Sequence, residues 1–221
     1  MPDVTEVLDD ECRRLCALVR ELSEEEFARP TRCEPWDVKE LLAHVWRSLF
    51  RIPTVLDAAP PDAADTDSVT YWRSYDAPTD APGIAEHARA TAGEYANGRS
   101  LAVALDELCR DALSRARSED PARLVHVWWG PNLRLDELLK TRVLEVVVHG
   151  LDLTHALSRP PIASERGVAM VCSTLWALLG AEPPTRWTPL ALVEKGTGRA
   201  PLDDDDRGDL GEAATRFPLL G

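Results

Sequence analysis

The sequence predicts a mainly α-helical fold, an antiparallel four-helix bundle with a fifth helix and a small mixed C-terminal extension. Apolar residues recur at helical spacing in four long stretches and in a fifth, shorter one. Segments rich in proline, glycine or aspartate separate these stretches. Hydrophobic residues make up 44 % of the 221 positions, which is enough to bury a sizeable core.

The first two helices are predicted at 4–28 and 36–59. The break between them, "RPTRCEP", contains two prolines. Pro35 and Asp37 then supply the fixed φ and the side-chain acceptor that favour a helix start. Pro53 falls near the end of the second helix.

A long connection rich in proline and aspartate is predicted at 58–83. Connections of this length in compact domains are often functional. The third helical stretch covers 84–117, and Asn97 followed by Gly98 is expected to bend or split it.

The fourth and fifth helices follow a second long loop at 118–133. The fourth helix is predicted at 133–157 and is stopped by a pair of prolines. The fifth is predicted at 164–180, with Ser164 as its cap and Gly180 at its end.

The tail at 181–221 has a different pattern. The segment "TPLALVEKGTGRAPL" predicts a short strand, a glycine-containing turn and a second extended piece. The segment "DDDDRGDLGEAATRF" predicts a helix start, because the helix dipole favours negative charge there. We therefore expect a bundle at 1–160, and a fifth helix with a short strand and helix at 161–221 packed on it.

The charge of the chain argues against two classes of partner. A nucleic-acid-binding protein should show a basic patch, whereas this chain carries a formal charge of −13 and its arginines are scattered. No apolar run reaches the roughly 18 residues that cross a bilayer. The N-terminus also lacks the basic start and apolar middle of a signal peptide. We expect a cytoplasmic monomer or homodimer that binds neither nucleic acid nor membrane.

Five cysteines are present, and none forms a Cys-x-x-Cys pair. The odd number and the spacing argue against a disulfide framework and against a zinc ribbon. Cys33 lies near the start of the second predicted helix, where the helix dipole can favour a thiolate. A packing role is the alternative for this residue.

Polar side chains form a stripe along the fourth predicted helix. Arg142, Glu145, His149 and Asp152 share one face, because positions three or four apart are neighbours on a helix. Burial of a carboxylate and an imidazole is costly unless they bond each other or hold a metal. His44, in "ELLAHVW" on the second helix, can meet Glu145 and His149 if the two helices face each other.

Two imidazoles and one carboxylate would suit a divalent metal. Three protein ligands leave positions open for water or substrate, as in catalytic zinc sites. Zinc is the first expectation, and iron, nickel or manganese fit the same ligand set. From the spacing alone, a hydrogen-bonded structural pair of Glu145 and His149 stays open as the alternative.

The blocks "TRCEPWDVKELLAHVW" and "RVLEVVVHGLDL" resemble the second-helix start and the fourth-helix signature of the DinB-like superfamily, in its branch of mycothiol-dependent maleylpyruvate isomerases. The resemblance implies a four-helix bundle that holds a divalent metal through one histidine of helix 2 and a Glu-x3-His pair of helix 4. Here those ligands are His44, Glu145 and His149. The chain resembles a short form, without the large C-terminal domain of the isomerases.

The resemblance also implies thiol chemistry. We expect a metal-dependent transferase or isomerase that adds a low-molecular-weight thiol, mycothiol first, to a small electrophilic substrate, or isomerises that substrate through a thiol adduct. Two alternatives stay open. One is a non-catalytic bundle that binds a metal or small molecule, and the other is a metal-dependent hydrolase or lyase that uses activated water.

Further candidate residues surround the predicted metal site. Arg142 is expected to orient Glu145 or to bind a substrate carboxylate, and Asp152 to bond a ligand imidazole or to pair with an arginine. His126, on the loop before the fourth helix, is a candidate acid or base. Aromatic residues of the two long loops are candidates for binding the thiol cofactor: Tyr71, Trp72 and Trp129.

Overall fold

The computed structural model describes residues 3–127 and 130–220. Within these ranges the regular secondary structure is helical apart from one antiparallel hairpin. The elements are α1 (Val4–Arg20), α2 (Glu24–Phe27), α3 (Val38–Asp57), α4 (Ser68–Arg73), α5 (Ala77–Glu94), α6 (Gly98–Arg117), β1 (Leu124–His126), β2 (Asn132–Arg134), α7 (Leu135–Ala156), α8 (Glu165–Leu179), α9 (Pro189–Gly196), α10 (Asp204–Leu210) and a final 3-10 turn (Gly211–Arg216).

Helices α1, α3, α6 and α7 form a four-helix bundle. Helix α1 packs against α6 and α7, and α3 packs against the same two helices, so α1 and α3 lie on opposite corners. Helix α5 covers α3, and α8 packs against α7. The predicted mainly helical class and the four-helix bundle are confirmed.

Helix α7 lies deepest in the molecule. Apolar residues occur on all of its faces, which is typical of a buried helix. It packs against α1, α3 and α8, and most of its side chains are buried. The few polar groups in its middle therefore lie inside the protein rather than in bulk solvent.

Helix α3 brings the second polar group to α7. It begins where predicted, with the side chain of Asp37 accepting from the backbone N–H of Glu40 and the Glu40 side chain bonding back to Asp37. One face, including Leu41, Leu42 and Val45, is fully buried in the core. The residues on its other face line a cavity.

The long connection at 58–83 is more ordered than predicted. It contains α4, which Asp67 caps at the backbone N–H of Thr70, and the first turns of α5. Asn97 does split the third helical stretch, since its side chain caps α6 at Ser100. That part of the prediction is confirmed.

Part of the predicted tail is wrong. Residues 188–202 form no strand. Thr188 instead caps α9 by accepting from the N–H of Ala191, and Pro189 occupies the first helical position. The predicted helix start at the four aspartates is confirmed, with Asp203 as the N-cap of α10.

Two further segments depart from the prediction. The first predicted helix is interrupted, because Ser23 and Glu26 form a capping box that starts α2. The loop at 118–133 contains the hairpin, in which Val125 pairs with Leu133. Among the described residues, no helix is long and apolar enough to span a membrane.

Candidate metal centre and its cavity

Three side chains from two helices converge on one point. His44 Nε2 of α3 lies 3.0 Å from Glu145 Oε2 of α7, and His149 Nε2 lies 3.3 Å from the same oxygen. The three ligand atoms all lie within 4.8 Å of one another. The side chains are only 12–15 % exposed. This geometry places two imidazoles and one carboxylate where a single ion can touch all three.

The two histidine rings are held by their neighbours. Trp36 stacks on His44, with ring centroids 4.9 Å apart and planes at 27°. The His149 ring meets His44 edge-on, with centroids also 4.9 Å apart. The turn before α3 fixes Trp36, because its carbonyl accepts from the backbone N–H and from Oγ1 of Thr31.

The electrostatics of the three groups follow from burial and mutual bonding. Burial lowers the pKa of His44, and the nearby Glu145 only partly opposes this. Burial acts to raise the pKa of Glu145, but the charges and hydrogen bonds of the two histidines outweigh it and hold that pKa well below its ordinary value. The result is an ionised carboxylate beside a neutral His44, and both forms are those that bind a metal.

His149 has a second partner behind it. Its Nδ1–H donates to Asp152 Oδ2 at 2.9 Å. Burial acts to lower the pKa of His149, but hydrogen bonds with Asp152, Cys33 and Glu145 raise it well above its ordinary value. The bond to Asp152 fixes the ring and directs Nε2 to the meeting point with Glu145.

Asp152 is the hub of a network that joins distant parts of the chain. Its side chain is fully buried and accepts from Arg32 Nε at 2.6 Å and from Arg199 Nη2 at 2.9 Å. Burial opposes ionisation, yet the hydrogen bonds from His149 and Arg199 hold the pKa of Asp152 far below its ordinary value. Arg32 also forms a two-bond pair with Glu194 of α9. The C-terminal extension is thereby tied to α7.

A second group of possible ligands shares His149. Cys33 Sγ lies 3.0 Å from Asp152 Oδ2, and Cys33, His149 and Asp152 together have metal-ligand geometry. The carboxylate of this group is already paired with two guanidinium ions. Its negative charge is therefore compensated, so the His44–Glu145–His149 group is the stronger cation site.

A large cavity opens over the centre. It has a volume of about 1330 Å³, and His44, Glu145 and His149 line its wall. Residues of α3, of α4 and of the tail line this cavity. The tail contributes Thr197 and Arg199. The metal-ligand atoms are therefore accessible to a small molecule.

The predicted surrounding residues lie in different places. Tyr71 and Trp72 of α4 line the cavity. Trp129 lies outside the described residues. Arg142 is fully buried and bonds Ser48, Thr141 and Tyr71, with no bond to Glu145 within the described ranges.

His126 does not reach the cavity. It is exposed on β1, where its Nδ1 lies 2.7 Å from Asn132 Oδ1. The cavity is lined by other residues. A catalytic role for His126, and the roles predicted for Arg142 and Asp152, stay predictions.

Three residues of the site were not predicted from the sequence. Trp36 and Arg32 lie in the block before α3, where an aromatic and a cation next to a helix start gave only a weak signal. Arg199 lies in the tail, far along the chain from α7, and its place beside Asp152 depends on how the tail folds back. No local pattern indicates that contact.

Fold and site define a four-helix bundle with a buried His–Glu–His centre at the wall of a cavity. Residues 8–154 match the model of the mycothiol maleylpyruvate isomerase N-terminal domain, and the chain belongs to this family. The match ends within α7, so α8, α9, α10 and Arg199 lie beyond it. Searches of the curated proteins and of the solved structures gave no match.

Proposed function

We propose that the protein is a divalent-metal-dependent enzyme of thiol chemistry. It adds or transfers a low-molecular-weight thiol, mycothiol in the first place, to a small electrophile, or isomerises that electrophile through a thiol adduct. The observation that carries the proposal is the convergence of His44, Glu145 and His149 at the wall of a large cavity. Membership of a mycothiol isomerase family supports the choice of thiol.

The residues present fit a divalent metal. Two imidazole nitrogens and one carboxylate oxygen form a mixed N/O ligand set of the kind that binds zinc, and also iron, nickel or manganese. Asp152 holds His149 from behind, as carboxylates commonly do for metal-binding histidines. A bound divalent ion would supply a Lewis acid that lowers the pKa of a coordinated thiol.

Neighbouring side chains shield one of the two candidate ligand histidines from water and orient the other. Trp36 packs on His44 and keeps water from that face of the ring. Arg32 and Arg199 hold Asp152, and Asp152 in turn orients His149. Ligand cavities commonly measure about 300–1,000 Å³, so a space of about 1330 Å³ accommodates a thiol and an electrophile together.

The electrophile is proposed only as a class. The family is named for maleylpyruvate, but its model covers residues 8–154 of this chain, and the tail that follows contributes Thr197 and Arg199 to the cavity. A wall built by the tail can select a different substrate. A small electrophilic carbon compound is therefore the class that we assign.

The ligand assignment is tested by metal content. We expect the purified protein to hold about one divalent ion per chain, and the His44→Ala and His149→Ala variants to lose most of it. His126→Ala is the matched control, because His126 is exposed and lies outside the cavity lining. Full occupancy in either of the first two variants would overturn the assignment.

The chemistry is tested separately. The metal-loaded protein is incubated with mycothiol and a broad set of electrophiles, and thiol consumption and adducts are followed by mass spectrometry. Turnover that is lost in His149→Ala supports the proposal. Metal binding with neither thiol binding nor turnover would favour a non-catalytic binding bundle, and metal-dependent turnover without thiol would favour a hydrolase or lyase.

A further inference from the structure

Three arginines lie together at one end of the cavity. Arg47 and Arg51 of α3 line it, and they share a helix face with His44 because the three are spaced by three and four residues. Arg142 of α7 lies directly behind this wall and is fully buried. Burial, together with the positive charges of Arg142 and Arg47, lowers the pKa of Arg51 to about 10, which still leaves Arg51 charged at neutral pH.

The hydrogen-bond partners of Arg142 are neutral. Its guanidinium donates to the carbonyl and hydroxyl oxygens of Ser48, to Thr141 Oγ1 and to Tyr71 OH, at 3.0–3.2 Å. Arg47 donates to Thr91 Oγ1 at 3.2 Å. Within the described ranges, no carboxylate forms an ion pair with Arg142 or Arg47.

The other end of the cavity contrasts with this arrangement. There Arg32 and Arg199 each pair with Asp152, and Arg32 also pairs with Glu194. The chain carries 38 acidic residues against 25 basic ones. Carboxylates are thus abundant, yet none among the described residues forms an ion pair with the buried Arg142. A buried charge without a counter-charge is costly, and a ligand that enters the cavity can supply one.

We propose that Arg47, Arg51 and Arg142 form a binding site for an anionic group, a carboxylate or phosphate, on a small-molecule substrate of this enzyme. This inference rests on the proposed function, and it specifies that one of the two reactants carries a negative charge. Guanidinium groups match both kinds of anion through paired hydrogen bonds. Arg47 and Arg51 face the cavity and contact the anion, while Arg142 adds charge from behind.

The spacing along α3 gives the site a position. Arg51 follows His44 by seven positions, which corresponds to roughly 10 Å along a helix axis. The anionic group therefore lies one to two helical turns away from the His44–Glu145–His149 centre. A substrate that spans the two has its charge several bonds away from the reacting atom.

Binding of simple probes tests the site without turnover. Monomethyl succinate and dimethyl succinate share one carbon skeleton and differ in a single carboxylate. Mercaptoacetate and 2-mercaptoethanol form the corresponding thiol pair. Dissociation constants are measured by calorimetry on the protein as isolated and after zinc loading, at constant ionic strength. A preference for the anion in the succinate pair assigns the charge to the electrophile, and a preference in the thiol pair alone assigns it to the thiol.

Substitutions of the arginines then show whether the anion binds at this site. In the pair that shows the preference, we expect the anion to bind at least about tenfold more tightly than its neutral partner, and Arg47→Gln or Arg51→Gln to remove most of this difference. Arg51→Lys should keep part of it, since the charge remains. Arg13→Gln, which changes an exposed arginine of α1, is the control and should behave as the wild type.

Two outcomes would overturn the proposal. One is the absence of any anion preference in both pairs, and the other is a preference that survives in folded Arg47→Gln and Arg51→Gln, since the anion would then be bound elsewhere. The anion preference and its loss in the variants are measured without determining metal content or thiol turnover. A failure of the anion site is therefore distinguishable from a failure of the metal or thiol assignment.

Discussion

Asp152 Oδ2 lies 2.9 Å from His149 Nδ1, on the side of the ring that faces away from Glu145. The same carboxylate accepts from Arg32 and Arg199. One buried aspartate thus connects the orientation of a candidate metal ligand to the turn before α3 and to the C-terminal extension. Substitutions in this network should change metal affinity and stability by different amounts.

Asp152→Asn should weaken metal binding about 10–100-fold, the usual effect of losing a carboxylate behind a ligand histidine. The amide keeps the size of the side chain but loses its charge. Zinc affinity is measured by competition with a chromophoric chelator. Asp136→Asn, on the same helix but paired with the exposed Arg134, is the control and should leave the affinity unchanged. Equal affinities in the wild type and Asp152→Asn would disprove the positioning role.

Arg199→Ala should lower the free energy of unfolding by roughly 3 kcal/mol, because it leaves a buried carboxylate with one arginine fewer. Urea denaturation of the metal-free protein measures this value directly. Arg207→Ala removes an arginine of α10 whose partner Asp204 is fully exposed, and it should cost at most about 1 kcal/mol. Similar losses in the two variants would contradict the structural role given to Arg199.

Asp206 should make the tail sensitive to acid. Burial opposes its ionisation, but hydrogen bonds from Lys195, Trp187 and Asp203 hold the pKa of Asp206 below its ordinary value. Its stabilising effect is therefore complete above the unfolded-state pKa of about 3.9, and it is lost as the pH falls through the lower folded-state value.

The variant Asp206→Asn isolates this contribution. Its stability deficit against the wild type should be full near pH 7 and pH 5 and shrink below about pH 3.9. Urea denaturation at several pH values measures the difference. Asp204→Asn, at a fully exposed position of the same helix, should show a much smaller deficit at every pH, because its interactions with the helix dipole and with Arg207 are screened by solvent. A deficit for Asp206→Asn that did not depend on pH would rule out the charge as its cause.

The cysteines should differ in their reactivity. Hydrogen bonding between Cys16 and Cys109, followed by burial, raises the pKa of Cys16, and the pKa of Cys109 is raised as well. Burial raises the pKa of Cys172 to about 11. Cys33 lines the cavity and is open to small reagents.

Iodoacetamide at about pH 8 should therefore label Cys33 before the others, because reactivity follows access and thiolate content. Peptide mass spectrometry reads the order of labelling. Cys16 and Cys109 should react only after urea is added, which serves as the control for their intrinsic reactivity. Labelling of Cys16 in the native protein at the rate of Cys33 would contradict its burial.

Local patterns were sufficient for the long helices and for two of the three residues that converge at the candidate metal centre. Helical spacing placed Glu145 and His149 on one face, and the side-chain chemistry of Asn97 and Ser164 placed helix boundaries. The family resemblance added His44. These helix boundaries are confirmed and the three side chains converge, because both depend on neighbours within a few turns or on a packing arrangement common to a whole family. Their role as metal ligands stays a prediction.

Features that depend on contacts between distant parts of the chain could not be predicted from the sequence. Residues 188–202 carry β-branched and glycine residues that favour strands, while the cap at Thr188 and packing against α8 fold Pro189–Gly196 into α9. Arg199 meets Asp152 only because that tail folds back. Arg142 shares the stripe of Glu145, but the hydroxyls of Ser48 and Tyr71 draw its guanidinium away from the centre.

The tail supplies part of the cavity wall although the family match ends at residue 154. The chain therefore separates two tasks. The bundle carries the candidate ligands, and the tail shapes part of the space above them. A change confined to the tail would therefore alter which molecules fit the cavity while the two histidines and the glutamate stay in place.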